Sequence, residues 1–293
     1  MSATVRPMTH DDVVAASQAQ VSAFDDLDRR RHETPMPTPT DAIWERIRLR
    51  HHHLIDTDPG GSWVAEIDGN VIGCALALKR ETYWGLSLLV VDPTVQSSGA
   101  GRKLLDASLT YGEGCDRWII LSSSDERAIR LYATSGFELY PQVYGTGKPD
   151  PKALPALRNR VRDGSVDDTA LADDVDRIVR GAPRGPDHVR MATDMPLFIA
   201  DDVDGKGYAY IRQDGEVYCL GATNEATATA LLWRCFAYAH EADRPVGVID
   251  MNAEQQWAIS MAFQARLKVQ PAGPVFWRGT TPPKAFLPSG AYL

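Results

Sequence analysis

The chain has 293 residues, of which 44% are hydrophobic and 24% are charged, and its formal net charge is -8. This composition is typical of a globular protein, and the length favours two domains over one. The acidic balance argues against a nucleic-acid-binding protein, which would present a basic face. No apolar run reaches the roughly 20 residues that span a bilayer, and the N-terminus has no signal-peptide core. We therefore expect a cytoplasmic protein with neither a nucleic-acid nor a membrane partner.

The cysteine and histidine residues indicate neither a disulfide framework nor a metal site. The four cysteines are far apart and form no Cys-x-x-Cys pair, as expected of free thiols in a reducing compartment; they are Cys74, Cys115, Cys219 and Cys235. Residues 51–53 are three consecutive histidines in a predicted helix. Consecutive helical side chains point about 100° apart, so these three cannot converge on one ion. We predict no bound metal.

The first half of the chain predicts the element order β-α-α-β-β-β-α-β-α-β. Capping residues, apolar periodicity and Gly or Pro turns define these elements. Helices are expected over residues 13–29, 41–54, 101–112 and 127–134, and strands over 3–7, 62–66, 71–79, 83–91 and 118–121, with a last strand after residue 136.

The second half repeats this order. Residues 160–168 resemble residues 4–12, and both stretches precede a helical pattern. Later strands are expected over 197–201, 207–212, 216–220 and 246–250, and helices over 225–241 and 255–265. Agreement in element order is the better evidence for a duplication, because identity between the halves is weak. We predict domains over 1–145 and 160–293, joined by a linker over 146–159.

One motif in the first half is suited to binding phosphate. A strand over residues 86–91 is followed by Gln96-x-x-Gly99-x-Gly101 and a helix. Glycines allow close approach of a ligand to the backbone, and the first N–H groups of a helix favour an anion. Arg102 and Lys103 are candidate charge partners. The alternatives are a turn without a ligand and a dinucleotide fold, although Leu104 replaces the third glycine of the latter.

At this point the residues resemble a known family. Val91-x-Pro93 and Gln96-x-x-Gly99-x-Gly101-Arg102-x-Leu104-Leu105 look like the cofactor motif of the GNAT superfamily of N-acyltransferases. Ala128-Ile129-x-Leu131-Tyr132-x-x-x-Gly136-Phe137 is similar to the second motif of that family. The resemblance covers roughly residues 3–145.

The resemblance implies an α/β (α+β) protein of two tandem GNAT folds, each a mixed, mostly antiparallel sheet flanked by helices. It implies acetyl-CoA, or another acyl-CoA, as co-substrate. The family carries over these cofactor-binding positions: Leu89, Val90, Val91, Gln96, Ser97, Ser98, Gly99, Ala100, Gly101, Arg102, Asp125, Ala128 and Tyr132. Asp125 stands where the family often has Asn; the aspartate keeps an acceptor but lacks the amide donor of that contact.

Acyl transfer to an amine needs a proton for the leaving thiolate and a base for the amine. By resemblance, Tyr132 supplies the proton; the alternative is a core aromatic. Glu81, just before the central strand, is a candidate base, although an exposed loop carboxylate is the commoner meaning of such a residue. The carboxylate of Leu293 is a second candidate, because some tandem relatives insert their C-terminus into the active site.

The second copy of the motif is degenerate. Superposing the halves places Ala226 and Ala228 on Gly99 and Gly101, and Ala262 on Tyr132. We therefore expect one CoA per chain, bound by the first half.

We predict an N-acyltransferase, acting as a monomer or homodimer, that acetylates a small-molecule amine. The alternatives are a non-catalytic acyl-CoA-binding sensor or regulatory module and a protein or peptide N-acetyltransferase. The latter needs an open peptide groove.

Overall fold

The computed structural model describes residues 3–31, 38–95, 99–155 and 160–293. The chain divides into two compact units. Unit 1 comprises Met1–Lys79 and Trp84–Cys115, and unit 2 comprises Arg80–Tyr83 and Asp116–Leu293. None of the helices in the described ranges has the length and apolarity to cross a bilayer.

The described residues of unit 1 form four neighbouring strands and three α-helices. Its elements are β1 (Thr4–Pro7), α1 (Val13–Arg30), α2 (Asp41–Thr57), β2 (Ser62–Ile67), β3 (Asn70–Arg80), β4 (Tyr83–Val91) and α3 (Ala100–Tyr111). The strands follow the order β1-β2-β3-β4, and the first two pairs are antiparallel. Alternate residues of a strand face opposite sides of its sheet. Accordingly, Val90 packs in a cluster with residues of α1 and α2, whereas Leu89 and Val91 pack beside Leu104 of α3.

Unit 2 contains one long sheet with helices packed against it. Its elements are β5 (Arg117–Leu121), α4 (Glu126–Ala133), β6 (Glu138–Gly147), β7 (Arg162–Asp163), α5 (Thr169–Val179), α6 (Pro186–Asp194), β8 (Leu197–Asp202), β9 (Gly205–Ile211), β10 (Glu216–Ala222), α7 (Glu225–Glu241), β11 (Val246–Met251), α8 (Gln256–Gln264), β12 (Lys268–Arg278) and β13 (Phe286–Leu287). The strand order is β5-β12-β6-β11-β10-β9-β8-β7, and β13 pairs with β10. Among the described strand pairs of this unit, β10 and β11 run parallel and the others run antiparallel.

Strand β12 lies between two strands that precede it by more than a hundred residues. It pairs with β5 through Val275 and Leu121, and with β6 through Lys268 and Thr146. Strand β6 in turn pairs with β11. The compact units therefore do not follow the sequence halves, and the first two residues of the predicted linker belong to β6. The division into domains 1–145 and 160–293 stays a prediction.

Both halves of the chain begin with the same local geometry. Arg6 binds both carboxylate oxygens of Asp12 at 2.8 and 2.7 Å, and Arg162 binds those of Asp168 at 3.1 and 2.5 Å. In each case the aspartate completes a capping box at the start of a short 3-10 turn that leads into the first helix of its half. The matching arrangement supports the predicted duplication, because it involves the positions that the sequence comparison aligns.

The ion pair of Arg6 predicts an acid dependence of stability. Hydrogen bonds from Arg6 lower the pKa of Asp12 to about 2, whereas an unfolded aspartate has a pKa of about 3.9. The stabilisation is therefore present above pH ~4 and is lost as the pH falls towards 2. Since Arg6 is 39% exposed, solvent screening limits the effect to about 1 kcal/mol or less.

Urea unfolding at pH 5 and pH 2.5 measures this dependence. Asp12→Asn is expected to lose less unfolding free energy on acidification than the unsubstituted protein. The neighbouring, exposed Asp11→Asn is the matched control. Equal acid slopes for the two variants would contradict the prediction.

Candidate functional site

The two glycines of the phosphate motif lie at the N-terminal end of α3, where the described residues do not crowd them. Gly99 has φ 78° and ψ 3°, a left-handed conformation that favours glycine, and α3 begins at the next residue. A Cβ atom built on Gly99 would meet no atom of the described residues within 4 Å. One built on Gly101 would lie 3.9 Å from Val91 Cγ2 and 4.0 Å from Leu89 Cδ2. The described residues therefore leave room for a Cβ at both positions.

The neighbouring residues of the motif divide between packing and the surface. Ala100 is buried and packs with Leu104, so its small size serves the core. Arg102 is exposed at the start of α3. The Lys103 Nζ donates to the Ala3 carbonyl at 2.7 Å, which ties the lysine to the start of β1. Gln96, Ser97 and Ser98 lie outside the described residues.

The second motif forms α4 of unit 2. Asp125 is the N-cap of this helix, and its side chain accepts from the Arg127 backbone N–H at 2.8 Å. The same carboxylate pairs with the Arg127 guanidinium at 2.5 Å. Ala128, in the first turn, is partly buried. The Asp125 carboxylate thus fixes the start of α4 through contacts within its own chain.

Tyr132 lies near the end of α4 with its ring in the core. The residue is 4% exposed, and its ring meets Phe276 of β12 edge to face at 5.5 Å. Burial and the nearby Asp125 raise the pKa of the Tyr132 hydroxyl well above its usual value of 10. Because both effects favour the protonated phenol, Tyr132 holds a proton at neutral pH.

Comparison with known proteins identifies the domain that contains the phosphate motif and the second motif. Residues 23–137 match the model of the acetyltransferase (GNAT) family. The chain contains a GNAT acetyltransferase domain. N-alpha-acetyltransferase RimI of Mycobacterium tuberculosis is 24% identical over 138 residues, which cover 47% of this chain and 83% of RimI.

Solved structures extend the likeness in fold to the whole chain. A candidate acetyltransferase from Pyrococcus horikoshii superposes with a TM-score of 0.74 at 15% identity, covering 100% of this chain and 95% of its own. A tandem GNAT protein from the clavulanic acid biosynthesis pathway superposes with a TM-score of 0.62 at 12% identity, covering 96% and 99%. The expected α/β fold, with mostly antiparallel sheets flanked by helices and two tandem GNAT copies, is confirmed.

The predicted base of the GNAT domain lies at a surface turn. Glu81 joins β3 to β4 with φ 53°, and its side chain is 53% exposed. Its carboxylate lies 3.5 Å from the Arg177 Nη2. This is the environment of a surface ion pair, and the role of Glu81 as base stays a prediction.

The tail of the chain docks into unit 2, as its apolar sequence suggested. Ala291, Tyr292 and Leu293 are buried, and Leu293 packs in a cluster with Tyr83 and Trp277. The buried Arg184 Nε donates to the Tyr292 carbonyl at 3.0 Å. The role of the Leu293 carboxylate as a base stays a prediction.

The three consecutive histidines diverge. His51 is buried, hydrogen-bonds to the Ile47 carbonyl at 2.8 Å, and has its pKa lowered by burial to about 4. His52 instead stacks on His10, with ring centroids 4.9 Å apart. Within the described ranges, no group of three His, Cys, Asp or Glu side chains could hold a metal ion.

The corresponding helix of the second GNAT copy, α7, is covered at its start by its own chain. Asn224 is the N-cap, and its amide also donates to the Asp204 carbonyl at 2.8 Å. A Cβ atom on Gly205 would fall 2.2 Å from Thr227 Oγ1. The cavity beside these residues measures only about 40 Å³. Asn224 caps α7 as Gly99 caps α3, and it stands two residues before Ala226; the superposition of Ala226 on Gly99 stays a prediction.

A buried polar network in unit 2 was missed by sequence reasoning. Asp176 accepts from Arg184, from the Tyr208 hydroxyl at 2.5 Å and from His188 Nε2 at 3.0 Å. All four residues are buried. The sequence signal was the run Arg180-Gly-Ala-Pro-Arg-Gly-Pro after an acidic helix, since arginines in a Gly/Pro loop lack helical neighbours to pair with.

Proposed function

We propose that this chain transfers an acetyl group from acetyl-CoA to an amine. The observation that carries the proposal is the uncrowded backbone at Gly99 and Gly101, at the start of α3 in the GNAT domain. The start of α3 carries the positive end of a helix dipole, which favours a pyrophosphate. The residues present therefore fit CoA.

In this proposal the backbone of residues 89–91 binds the pantetheine arm, and residues 97–102 bind the pyrophosphate. Arg102 adds positive charge at the exposed start of α3. Asp125 and Ala128 contribute by fixing the first turn of α4, which carries Tyr132. This assignment of Asp125 follows from its capping contact with the Arg127 backbone.

The reaction needs one proton removed and one delivered. The neutral amine forms a bond to the thioester carbon, and the carbon–sulfur bond then breaks. The amine loses a proton to a base. The candidate base is Glu81, which would receive the proton through a water molecule. Tyr132 donates its hydroxyl proton to the leaving sulfur and is reprotonated from solvent.

The proposed acceptor is a small-molecule amine. This assignment is supported by the fold shared over nearly the whole chain with a tandem GNAT protein from the clavulanic acid biosynthesis pathway. RimI, a protein N-alpha-acetyltransferase, favours a second candidate, the N-terminal amine of a protein. The two candidates differ in whether a free amine or a peptide amine is consumed.

A thiol-release assay with acetyl-CoA separates the candidates. One arm offers a panel of small amines and the other offers short peptides with free N-termini. Turnover of small amines supports the first proposal, and turnover of peptides alone replaces it with the second. Tight CoA binding without turnover of any amine would make the chain an acyl-CoA-binding module.

Gly101→Val is expected to weaken CoA binding about 10- to 100-fold, the size of one or two lost hydrogen bonds to a charged group. The fold should persist, because a Cβ atom at this position lies at ordinary contact distances from Val91 and Leu89, and glycine is itself unfavourable in a helix. Gly99 is not suited to this test, since its φ of 78° strains any other residue.

Calorimetric titration with CoA measures this effect. The unsubstituted chain should bind one CoA, since the start of α7 is covered. Thr110→Val, in the last part of the same helix, is the matched control and should bind CoA normally. Unchanged affinity in Gly101→Val would refute the loop assignment.

A further inference from the structure

A guanidinium of α2 holds the middle of strand β4. The Arg50 Nε donates to the Ser87 hydroxyl at 3.0 Å, and its Nη2 donates to the same hydroxyl at 2.7 Å and to the Ser87 carbonyl. Ser87 is buried, and Arg50 is partly buried. Because a guanidinium is planar and always charged, it can bind two acceptors in one fixed geometry. Arg50 therefore fixes both the side chain and the main chain of one strand residue.

Strand β4 changes face at this residue. The Trp84 indole N–H donates to the Ser108 carbonyl of α3 at 3.0 Å, so Trp84 lies on the α3 side of its strand. Regular alternation would place Leu88 on that side as well. Leu88 packs instead with residues of α1 and α2, and its neighbour Ser87 also contacts α2 through Arg50. Two consecutive residues thus face the same helices, which indicates a β-bulge.

The bulge lies directly before the backbone that we assign to the pantetheine arm. Beyond it the alternation is regular, with Leu89 and Val91 beside α3 and Val90 beside α1 and α2. Successive residues of a strand direct their backbone N–H groups to opposite edges. The extra residue therefore decides which N–H groups of residues 89–91 point towards the cofactor. Without it, each of these groups would point to the other edge.

Helix α2 has a separate, apolar attachment to the same strand. Leu54 and Ile55 are buried and pack in the cluster that contains Leu88 and Val90. The polar contact from Arg50 therefore acts mainly on the conformation of β4 and not on the anchoring of the helix. Bulges are common beside active sites, where they redirect the groups of a strand.

We propose that Arg50 is a positioning residue for acetyl transfer. Its guanidinium holds the bulge at Ser87, and the bulge directs the backbone N–H groups of residues 89–91 at the pantetheine arm and the thioester that it carries. Arg50 acts through the strand and not on the reactants. The inference rests on the proposed function, since it describes how β4 serves that reaction.

Arg50→Met removes every donor of the side chain and keeps much of its apolar length. The thioester would then be held less accurately, so kcat should fall about 10- to 100-fold, the scale of a displacement of about 1 Å. The CoA affinity should change much less, because the pyrophosphate site at α3 is untouched. The measurements are kcat at saturating acetyl-CoA and calorimetric titration with CoA.

Two further measurements separate positioning from a merely structural role. Free guanidinium ion at about 50 mM, too dilute to unfold the protein, should raise the kcat of Arg50→Met several-fold by occupying the vacated place. Arg50→Lys keeps the charge but presents a single ammonium in place of the planar fork. Its kcat should therefore lie between those of the unsubstituted protein and Arg50→Met.

An arginine of the same helix provides the control. Arg48 lies 3.5 Å from Glu45 of α2, and Arg48→Met should have a normal kcat with and without guanidinium. If Arg50→Met does not fold, Arg50→Lys is compared with Arg48→Lys, and a lower kcat in the former alone supports the inference.

A fall in kcat with nearly normal CoA affinity, partly reversed by guanidinium, supports the positioning role. The inference is overturned if Arg50→Met has the kcat of the unsubstituted protein, or if guanidinium leaves a reduced kcat unchanged. Equal kcat values for the two lysine variants would overturn it as well. Failure of the proposed function is a different result, in which the unsubstituted protein turns over no amine, and it would remove this inference too.

Discussion

Tyr132→Phe is expected to lower kcat by about 10²- to 10⁴-fold, the usual contribution of a general acid. The variant removes the hydroxyl proton that the leaving sulfur would receive and leaves the ring in place. CoA affinity should change little, because the proposed pyrophosphate and pantetheine contacts are made by the backbone. The measurement is kcat and KM with the best amine from the thiol-release panel.

The same variant should fold normally. No described residue hydrogen-bonds to the Tyr132 hydroxyl, so its removal leaves no buried partner unpaired. The ring contact with Phe276 persists. Tyr238→Phe, whose ring packs against Phe198 in the second half, is the matched control and should retain full activity.

The pH dependence gives an independent check on Tyr132. Since burial raises the pKa of its hydroxyl, the group stays protonated up to at least pH ~10. We therefore expect no decline of kcat that is due to its ionisation between pH 7 and pH 9. An unaltered kcat in Tyr132→Phe would leave the residue as a core aromatic and would move the proton donor elsewhere.

Local sequence signals predicted the elements of the first half closely. Strand β4 was predicted over residues 83–91 and is observed as Tyr83–Val91; the start of α1 at Val13 and of α2 at Asp41 also agree. In each case a capping residue, a turn or a proline marks the boundary within a few residues of the chain. Such signals do not depend on the rest of the fold.

The pairing of distant strands could not be read in the same way. Nothing in residues 268–278 indicates that they lie between β5 and β6, because a strand pattern specifies which face is buried and not which strand is its neighbour. The predicted boundary at residue 145 assumed that each half closes its own sheet. The observed order, in which β6 pairs with β11, shows that sequence halves and compact units differ.

The candidate site was predictable only where its residues belong to short local motifs. Gly99, Gly101 and Tyr132 came from short motifs whose chemistry depends on local backbone or on one side chain. The capping role of Asp125 was not foreseen, although Asp before a helix is a common N-cap. Asp176 and Tyr208 are 32 residues apart, so their buried hydrogen bond could not be predicted without the tertiary structure.

Asp176→Ala is expected to lower the free energy of unfolding by about 3–5 kcal/mol, the typical cost of removing one partner from a buried ion pair. Arg184, Tyr208 and His188 would each lose a hydrogen bond in the interior. Asp176→Asn keeps an acceptor, so its free energy of unfolding should lie between those of the unsubstituted protein and Asp176→Ala. Chemical denaturation followed by circular dichroism measures the loss.

A carboxylate on the same helix provides the control. Asp174 is 75% exposed, so Asp174→Ala should change the unfolding free energy by no more than about 0.5 kcal/mol. Burial alone would raise the pKa of Asp176, but Arg184 and His188 outweigh it and hold this pKa well below the usual range. The stabilisation is therefore complete above pH ~4 and is lost in acid. Asp176→Ala should accordingly show a flatter loss of stability below pH 4 than the unsubstituted protein. Similar destabilisation by both alanine variants would show that the buried network does not hold α5 and α6 to the sheet.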